Sequence, residues 1–454
     1  MGNRDLFGTD GIRGLANVKL TPELALKVGQ AAGLTFKHSK GTNRVVIGKD
    51  TRLSGYMLES ALVAGFTSAG MNPLVLGPIP TAGVGMLTRS MRADVGVMLT
   101  ASHNGFQDNG IKLFDSKGRK LSHDTELSIQ QLIDSDLSRK IASSREIGRA
   151  KRIEDAQARY IELVKNTLSR EVSFDGLRVV LDCANGAAYK VAPEALWEMG
   201  AEVVAVSVDP DGFNINHQCG STAPESLMCK VKDMRADVGI ALDGDADRVI
   251  MCDETGQLVN GDQILALLAE FWQREGVLRS STVVGTIMSN GGLEQHLNMN
   301  HMSLERTAVG DHHVLEHMRD EKGKLRFNVG GEPTGHIILP DFSETSDGLM
   351  AAFQVLAILK RAREDGKKAS EILHRFTPIP QKHVDIKKSG KALELAEVKD
   401  QIEECKRTLD GRGRLVVRPS GTEPVIRVMI ESDDEDLANG VAALIENTIQ
   451  TARV

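Results

Sequence analysis

The chain has 454 residues, which at roughly 100–200 residues per domain predicts three or four domains. Apolar residues make up 41% and charged residues 26%, the composition of an ordinary soluble globular protein. A net charge of −7 and only 4% aromatics argue against a broad basic face for duplex nucleic acid and a stacking platform for single strands.

In chain order, the start M-G-N-R-D-L-F carries no apolar signal core, and Leu6 stands where a myristoylation motif needs Ser or Thr. No run approaches the 18 apolar residues of a membrane span. Helical periodicity then appears over 22–34 and 58–69. Two β-like runs lie about fifty residues apart, V-V-I-G-K-D-T-R (45–52) and D-V-G-V-M-L-T-A-S (94–102), each breaking into a polar or Gly-bearing loop. The pair recurs as R-V-V-L-D-C-A-N-G (178–186) with D-V-G-I-A-L-D-G-D (237–245). It recurs again as T-V-V-G-T-I-M-S-N-G-G (282–292) with F-N-V-G-G-E (327–332). Strand–loop–helix units of this kind build α/β layers. After about residue 370 the pattern changes to strands over 383–386, 415–418 and 425–431, with a charged helix from Lys391 to Thr408 and a last helix opening on Asp433–Asp436. The expected fold class is α/β, with three related α/β domains and a smaller C-terminal α+β domain around a central cleft. Expected bounds are 1–150, 151–254, 255–368 and 369–454, the third resting only on a D-E-T-G turn (253–256). Five scattered Cys without a C-x-x-C pair fit a reducing compartment, so a cytoplasmic location is expected.

Four loops carry chemistry. T-A-S-H-N-G-F-Q-D-N-G-I-K (100–112) delivers Ser102 from an apolar strand into a loop with His103, and Lys112 lies beyond. No G-x-S-x-G elbow activates this Ser. D-G-D-A-D-R (243–248) offers the carboxylates of Asp243, Asp245 and Asp247 as hard ligands for Mg²⁺ or Ca²⁺. Its spacing imitates an EF-hand up to Glu254 at the twelfth position, but Arg248 replaces the Gly required at the sixth. Three such charges repel unless a cation neutralises them, so a metal is favoured over a solvated acidic turn. G-G-E-P-T-G-H (330–336) presents Glu332, Thr334 and His336 to sugar hydroxyls, although the same letters would suit a plain turn. R-P-S-G-T-E-P (418–424) sets Arg418, Ser420, Gly421 and Thr422, with Arg427 beyond, as a phosphate nest. His312, His313 and His317 lack a carboxylate or Cys to complete a zinc site and read as a partly exposed helix face.

These four loops, together with the opening F-G-T-D-G-I-R-G (7–14), resemble the α-D-phosphohexomutase superfamily along the whole chain and in the family's order. The opening and the double-Gly sugar loop are most similar to its bacterial branch acting on glucosamine phosphates. Thr334 departs from the Ser of many members but keeps the hydroxyl. The resemblance implies interconversion of glucosamine 6-phosphate and glucosamine 1-phosphate, supplying UDP-N-acetylglucosamine synthesis. It implies a phosphorylated Ser102 and one Mg²⁺ per chain on Asp243, Asp245, Asp247 and a phosphoserine oxygen. Glucosamine 1,6-bisphosphate is implied as the bound intermediate and candidate activator. Arg248 is expected to brace the metal loop, and Lys112, Arg13 and His103 to carry charge or protons near Ser102. The expected partners are a small sugar phosphate and a second copy of the chain, with neither nucleic acid nor membrane. Glucose or mannose phosphates on the same scaffold are the nearest alternative. A metal-dependent Ser phosphatase and a catalytically dead sugar-phosphate sensor are more distant ones.

Overall fold

The computed structural model describes residues 6–8, 10–39, 41–419 and 425–452. Four sheets follow one another along the chain. The first holds β1 (Ile12–Leu15), β2 (Arg44–Lys49), β3 (Asn72–Pro78), β4 (Val95–Leu99), β5 (Asp108–Asp115) and β6 (Lys151–Arg152), in the order β1-β5-β4-β2-β3-β6. The second holds β7 (Arg178–Asp182), β8 (Glu202–Val206), β9 (Val238–Leu242), β10 (Val249–Asp253) and β11 (Leu258–Val259), in the order β11-β10-β9-β7-β8. The third is β12 (Thr282–Thr286), β13 (Ser303–Thr307), β14 (Gly330–Gly331) and β15 (Ile337–Ile338), in the order β13-β12-β14-β15. These three mix parallel and antiparallel neighbours. The fourth, β16 (Gln381–Ile386), β17 (Arg414–Pro419) and β18 (Ile426–Glu431), is antiparallel, with β18 central.

β4 and β9 are apolar and buried along their whole length, as expected for central strands covered on both faces. Each ends at a loop that the sequence marks as chemical. One core runs without interruption from Val46 and Phe114 through Leu181 and Ile240 to Leu349 and Leu373, joining the first three sheets. The C-terminal sheet has a separate core around Ile386, Leu415, Ile430 and Ile445. Its link to the third sheet is polar. Arg414 donates to the carbonyls of Ile287 (3.0 Å) and Ser289 (2.7 Å), and the Gly291 N–H donates to Glu431 (3.0 Å).

The predicted strands and helices appear, with local differences. The D-E-T-G turn is the hairpin joining β10 to β11, where Asp253 accepts the N–H groups of Thr255 and Gln257. The expected strand at 327–332 contracts to Gly330–Gly331, and the expected helix from Lys391 is broken. A 3₁₀ turn over Gly390–Glu394 gives way at Leu395, whose backbone is extended, and the α-helix runs only from Ala396 to Leu409. Leu393 and Leu395 both pack on the C-terminal core, which a continuous helix presenting one face would not allow for both. Among the described residues no helix is long and apolar enough to cross a membrane.

The outer face of the first sheet is covered by helices Pro22–Phe36 and Ser54–Ala69, which touch backbone to backbone at Gly29 and Gly65. A Cβ on Gly65 would lie 2.3 Å from the Leu26 carbonyl oxygen and 3.0 Å from the Gly29 Cα. Helix propensity alone predicts that Gly65→Ala stabilises by about 1 kcal/mol. The packing predicts the opposite sign, a loss of about 1–3 kcal/mol, which a lower midpoint of thermal unfolding would reveal.

Candidate active site

β4 delivers Thr100, Ala101 and Ser102 into the centre of the molecule, where Ser102 is 1% exposed. Its backbone is left-handed, with φ of 50°, a conformation that a non-Gly residue holds only under external constraint. That constraint is visible. The Ser102 N–H donates to Thr100 Oγ1 (2.8 Å), and its carbonyl accepts from Arg52 Nη2 (2.9 Å) and Asn216 Nδ2 (2.8 Å). Arg52, wholly buried, also donates to the carbonyls of Asn104 (2.8 Å), Gly105 and Asp108 (3.0 Å). Its other side is held by Asp50 at 2.8 Å. One guanidinium thus fixes the loop's backbone, and Asn216 adds a grip from the second sheet's side.

β9 delivers Asp243, Asp245 and Asp247 to the same place, all buried. Gly244 is where the two loops meet: a Cβ there would lie 2.6 Å from the Ser102 carbonyl oxygen, so only glycine lets the backbones come this close. Ser102 Oγ consequently donates to Asp243 Oδ2 at 2.7 Å. One carboxylate oxygen from each of the three aspartates lies within 4.8 Å of the others. Asp245 Oδ1 and Asp247 Oδ1 are buried and have no hydrogen-bond partner among the described residues. Burial, with Asp247 and Asp245 adding to it, pushes the Asp243 carboxyl well above the ordinary range. Converging hard oxygen donors and orphaned carboxylate oxygens fit a divalent cation.

Cations ring the triad. Lys112, on β5, reaches Asp245 (2.9 Å), Asp247 (3.1 Å) and Asp10 (3.3 Å). Burial pulls its pKa down, but the three carboxylates outweigh it and hold the ammonium well above its usual range. Burial acts upward on Asp247, yet Lys112 first and then Arg248 draw it below the ordinary carboxylate range. Arg13 pairs with Asp10, so its charge reaches the triad from one step back. His103 Nδ1 lies 3.5 Å from Ser102 Oγ, and burial followed by Arg248 and Arg13 lowers its pKa to about 4. Thr81 closes the triad's far side by donating to Asp245 at 2.5 Å.

Arg248 joins this group to the third loop. Its N–H donates to Asp243 (3.1 Å), and its Nε donates to His336 Nε2 (2.7 Å). The His336 ring hydrogen is therefore assigned to Nδ1, facing Ser346 Oγ at 3.1 Å. Glu332 accepts the Gly310 N–H at 3.0 Å, and Thr334 is exposed. A cavity of about 500 Å³ opens beyond, lined by Glu332, Thr334, His383, Asp385, Arg418 and Arg427. Arg418 and Arg427 face each other as a cross-strand pair. Burial first and then Arg427 lower the Arg418 pKa, so two guanidinium groups crowd one mouth of the cavity. Asp385, 3.9 Å from Arg427, and Glu332 offset part of this like-charge crowding, and an anion entering the cavity would offset more. Ser420, Gly421 and Thr422 lie outside the described residues.

The structure therefore brings Ser102, His103, Lys112, Arg13, the three aspartates, Arg248 and His336 into one group, with Glu332, Thr334, Arg418 and Arg427 around the adjoining cavity. The histidine group forms a short helix at Asp311–His317, where His317 bonds Glu305 at 2.5 Å. Sequence reasoning missed Arg52, Asn216, Thr81, Asp10, Lys120 and Asp311. Asp10 and Arg52 sit inside quoted motifs, G-T-D-G and D-T-R. The others carry no local signal.

Comparison with known proteins gives the family of the chain. The four phosphoglucomutase/phosphomannomutase domain families match in order: domain I at residues 4–140, domain II at 158–256, domain III at 260–379 and the C-terminal domain at 382–448. The chain is 58% identical over 447 residues to a phosphoglucosamine mutase of Methylorubrum extorquens, covering 98% of each. It is 58% identical over 449 residues to one of Xanthobacter autotrophicus, covering 99% of each. Among solved structures, a phosphoglucomutase/phosphomannomutase family protein of Burkholderia thailandensis superposes with a TM-score of 0.82 at 22% identity, covering 100% of this chain and 98% of that one. The Aspergillus fumigatus N-acetylphosphoglucosamine mutase, in complex with GlcNAc-6P and magnesium, superposes at 0.64 with 18% identity, covering 96% of this chain and 100% of that one.

Arg52→Lys keeps the charge but loses the fork that holds four carbonyls. The expected result is a fall in turnover of about a hundredfold, with the fold retained by circular dichroism. Steady-state kinetics that match the parent chain would contradict this role.

Proposed function

The chain belongs to the phosphoglucosamine mutase branch of the phosphoglucomutase/phosphomannomutase family, and from that premise we propose that it interconverts glucosamine 6-phosphate and glucosamine 1-phosphate through a phosphorylated Ser102. The observation that carries the residue assignment is the 2.7 Å contact of Ser102 Oγ with Asp243, one of three buried carboxylates contributed by a different sheet. Asp243, Asp245, Asp247 and a phosphoserine oxygen at Ser102 would hold one Mg²⁺, which supplies positive charge beside the phosphoryl group when bound.

In the first half-reaction the substrate's free hydroxyl oxygen forms a bond to the seryl phosphorus while the bond from phosphorus to Ser102 Oγ breaks. The hydroxyl proton leaves and one returns to Ser102 Oγ, so the serine ends neutral and the sugar is a 1,6-bisphosphate. After the bisphosphate turns over, Ser102 Oγ attacks the other phosphate and the same accounting runs in reverse. Phosphoryl transfer asks chiefly for positioning and neutralised charge. Lys112 and Arg13 supply that charge. Lys112 Nζ, kept protonated beside the triad by Asp10, Asp245 and Asp247, is our choice for the acid/base contribution, on the donating side, and His103 Nδ1, 3.5 Å from Ser102 Oγ, is the alternative. Arg248 braces the metal loop against His336.

Glu332, Thr334 and His336 would grip the sugar. Arg418, Ser420, Gly421, Thr422 and Arg427 would hold the phosphate that is not reacting. The cavity shared by Glu332, Thr334, Arg418 and Arg427 supports this division. A C-terminal unit with its own core and a polar link suits closure over the bisphosphate. The four units are proposed at 1–150, 151–254, 255–368 and 369–454, although the helix Ala369–Leu373 at the head of the last packs on the shared core of the first three. Free cysteines at 183, 219, 229, 252 and 405 support a cytoplasmic setting, and a homodimer is what the family resemblance implies.

Ser102→Ala is expected to abolish isomerisation of glucosamine phosphates, measured by coupled assay; retained activity would end the phosphoenzyme route. In the parent chain, kcat/KM should be highest for glucosamine 1-phosphate among glucosamine, glucose and mannose phosphates. A preference for mannose 1-phosphate would overturn the substrate assignment alone.

A further inference from the structure

A tight turn follows β5, and two of its cations cross to the third sheet's side. The Asp115 N–H donates to the Arg119 carbonyl (2.8 Å), Phe114 and Lys120 form an antiparallel bridge, and Gly118 has φ of 80°. A Cβ on Gly118 would sit 2.4 Å from the Gly85 carbonyl oxygen, so the turn is packed down against its own domain. From it, Arg119 reaches Glu344 (2.9 and 3.3 Å), which also binds Arg319 (2.6 Å). Lys120 reaches both oxygens of Asp311 (2.9 Å each) and turns its remaining contact to Asp10 Oδ1 (2.8 Å).

The two contacts differ in what lies behind them. Arg119 ends on Glu344 and Arg319, a clamp that among the described residues makes no ion pair with the acidic triad. Lys120 is the middle of a chain of alternating charge. Asp311 begins the short helix directly after Gly310, whose N–H is bound by Glu332 of the sugar loop (3.0 Å). Asp10 binds Lys120 through one oxygen and faces Lys112 (3.3 Å) and Arg13 through the other. Lys112 then reaches Asp245 and Asp247 (2.9 and 3.1 Å). No charged step in this path exceeds 3.3 Å. Lys120, Asp10 and Asp311 are a quarter exposed or less, so solvent screens them only partly.

We propose that Lys120 is a positioning residue for phosphoryl transfer, aligning Lys112 against the metal loop through Asp10 and tying that alignment to the sugar loop through Asp311. The inference rests on the assignment of Ser102 and the acidic triad given above. Without Lys120, Asp311 loses its ion-pair partner and Asp10 is left with Arg13 and Lys112 alone. Asp10 then competes more strongly for Lys112 and draws its ammonium away from Asp245 and Asp247. A remote lysine would thereby change the charge beside the reacting serine without touching substrate.

The test compares Lys120→Met, Lys120→Arg, Asp311→Asn, the double variant Lys120→Met/Asp311→Asn, and Arg119→Met in the full chain. Lys120→Met and Asp311→Asn should each lower kcat by about tenfold or more. The double variant should be no worse than the poorer single one, because the two act through one contact. Lys120→Arg should recover most of kcat, and it stands in for Lys120→Met should that chain fail to fold. Arg119→Met, which cuts the neighbouring clamp, should leave kcat within about twofold. Amide hydrogen exchange, read without added metal or substrate, should rise at 243–248 in Lys120→Met but not in Arg119→Met. Equal effects of Lys120→Met and Arg119→Met, additive losses in the double variant, or unchanged exchange at 243–248 would each overturn the proposal. Failure of the phosphoserine reading is separate: it shows as activity in Ser102→Ala and leaves the exchange comparison intact.

Discussion

Three carboxylates buried around one hydroxyl are the constraint on which the rest of this structure depends. Asp243, Asp245 and Asp247 lie close enough that their mutual repulsion, in a region shielded from water, would be prohibitive without positive charge. Lys112 supplies part of it directly, while Arg13 and Lys120 supply it through Asp10. Even so, two carboxylate oxygens in the group lack a hydrogen-bond partner among the described residues. A site built this way is poised for a further cation and for a reaction in which negative charge passes close by.

The scaffold serves that arrangement. Two buried central strands, β4 and β9, end side by side, and Gly244 removes the side chain that would keep their loops apart. Arg52 and Asn216 then hold the serine's backbone in a conformation it would not adopt alone. The first three units share one core, which keeps these distances fixed. The fourth has its own, and it is the unit that carries the paired arginines proposed to hold phosphate. Rigidity is concentrated where the phosphoryl group is proposed to move, and independence where the substrate is proposed to be held as it turns.

Much of this was legible in the letters. Apolar runs broken by polar or glycine-bearing loops marked the ends of β2, β4, β7, β9 and β12, because a buried central strand reads as continuous hydrophobicity. Ser102, the D-G-D-A-D-R loop and the G-G-E-P-T-G-H loop stood at such ends. What escaped notice acts at long range. Lys120 is one lysine in S-K-G-R-K, and only the fold reveals that it meets Asp311, 191 residues away. Asn216 carries no motif, yet it grips a carbonyl 114 residues earlier. The break at Leu395 was hidden because nothing in that charged stretch stops a helix locally; packing of Leu393 and Leu395 on the same core does. Local pattern reports which face is buried, and it is silent on which distant charge will answer a buried one.

The central claim is that Ser102 carries the phosphoryl group beside the acidic triad. Its most direct test is intact-protein mass spectrometry with peptide mapping, after incubation with glucosamine 1,6-bisphosphate and Mg²⁺. The account predicts one phosphate per chain, located on Ser102 and discharged when excess glucosamine 6-phosphate is added. A chain that gains no phosphate, or gains it on another residue, would contradict the account.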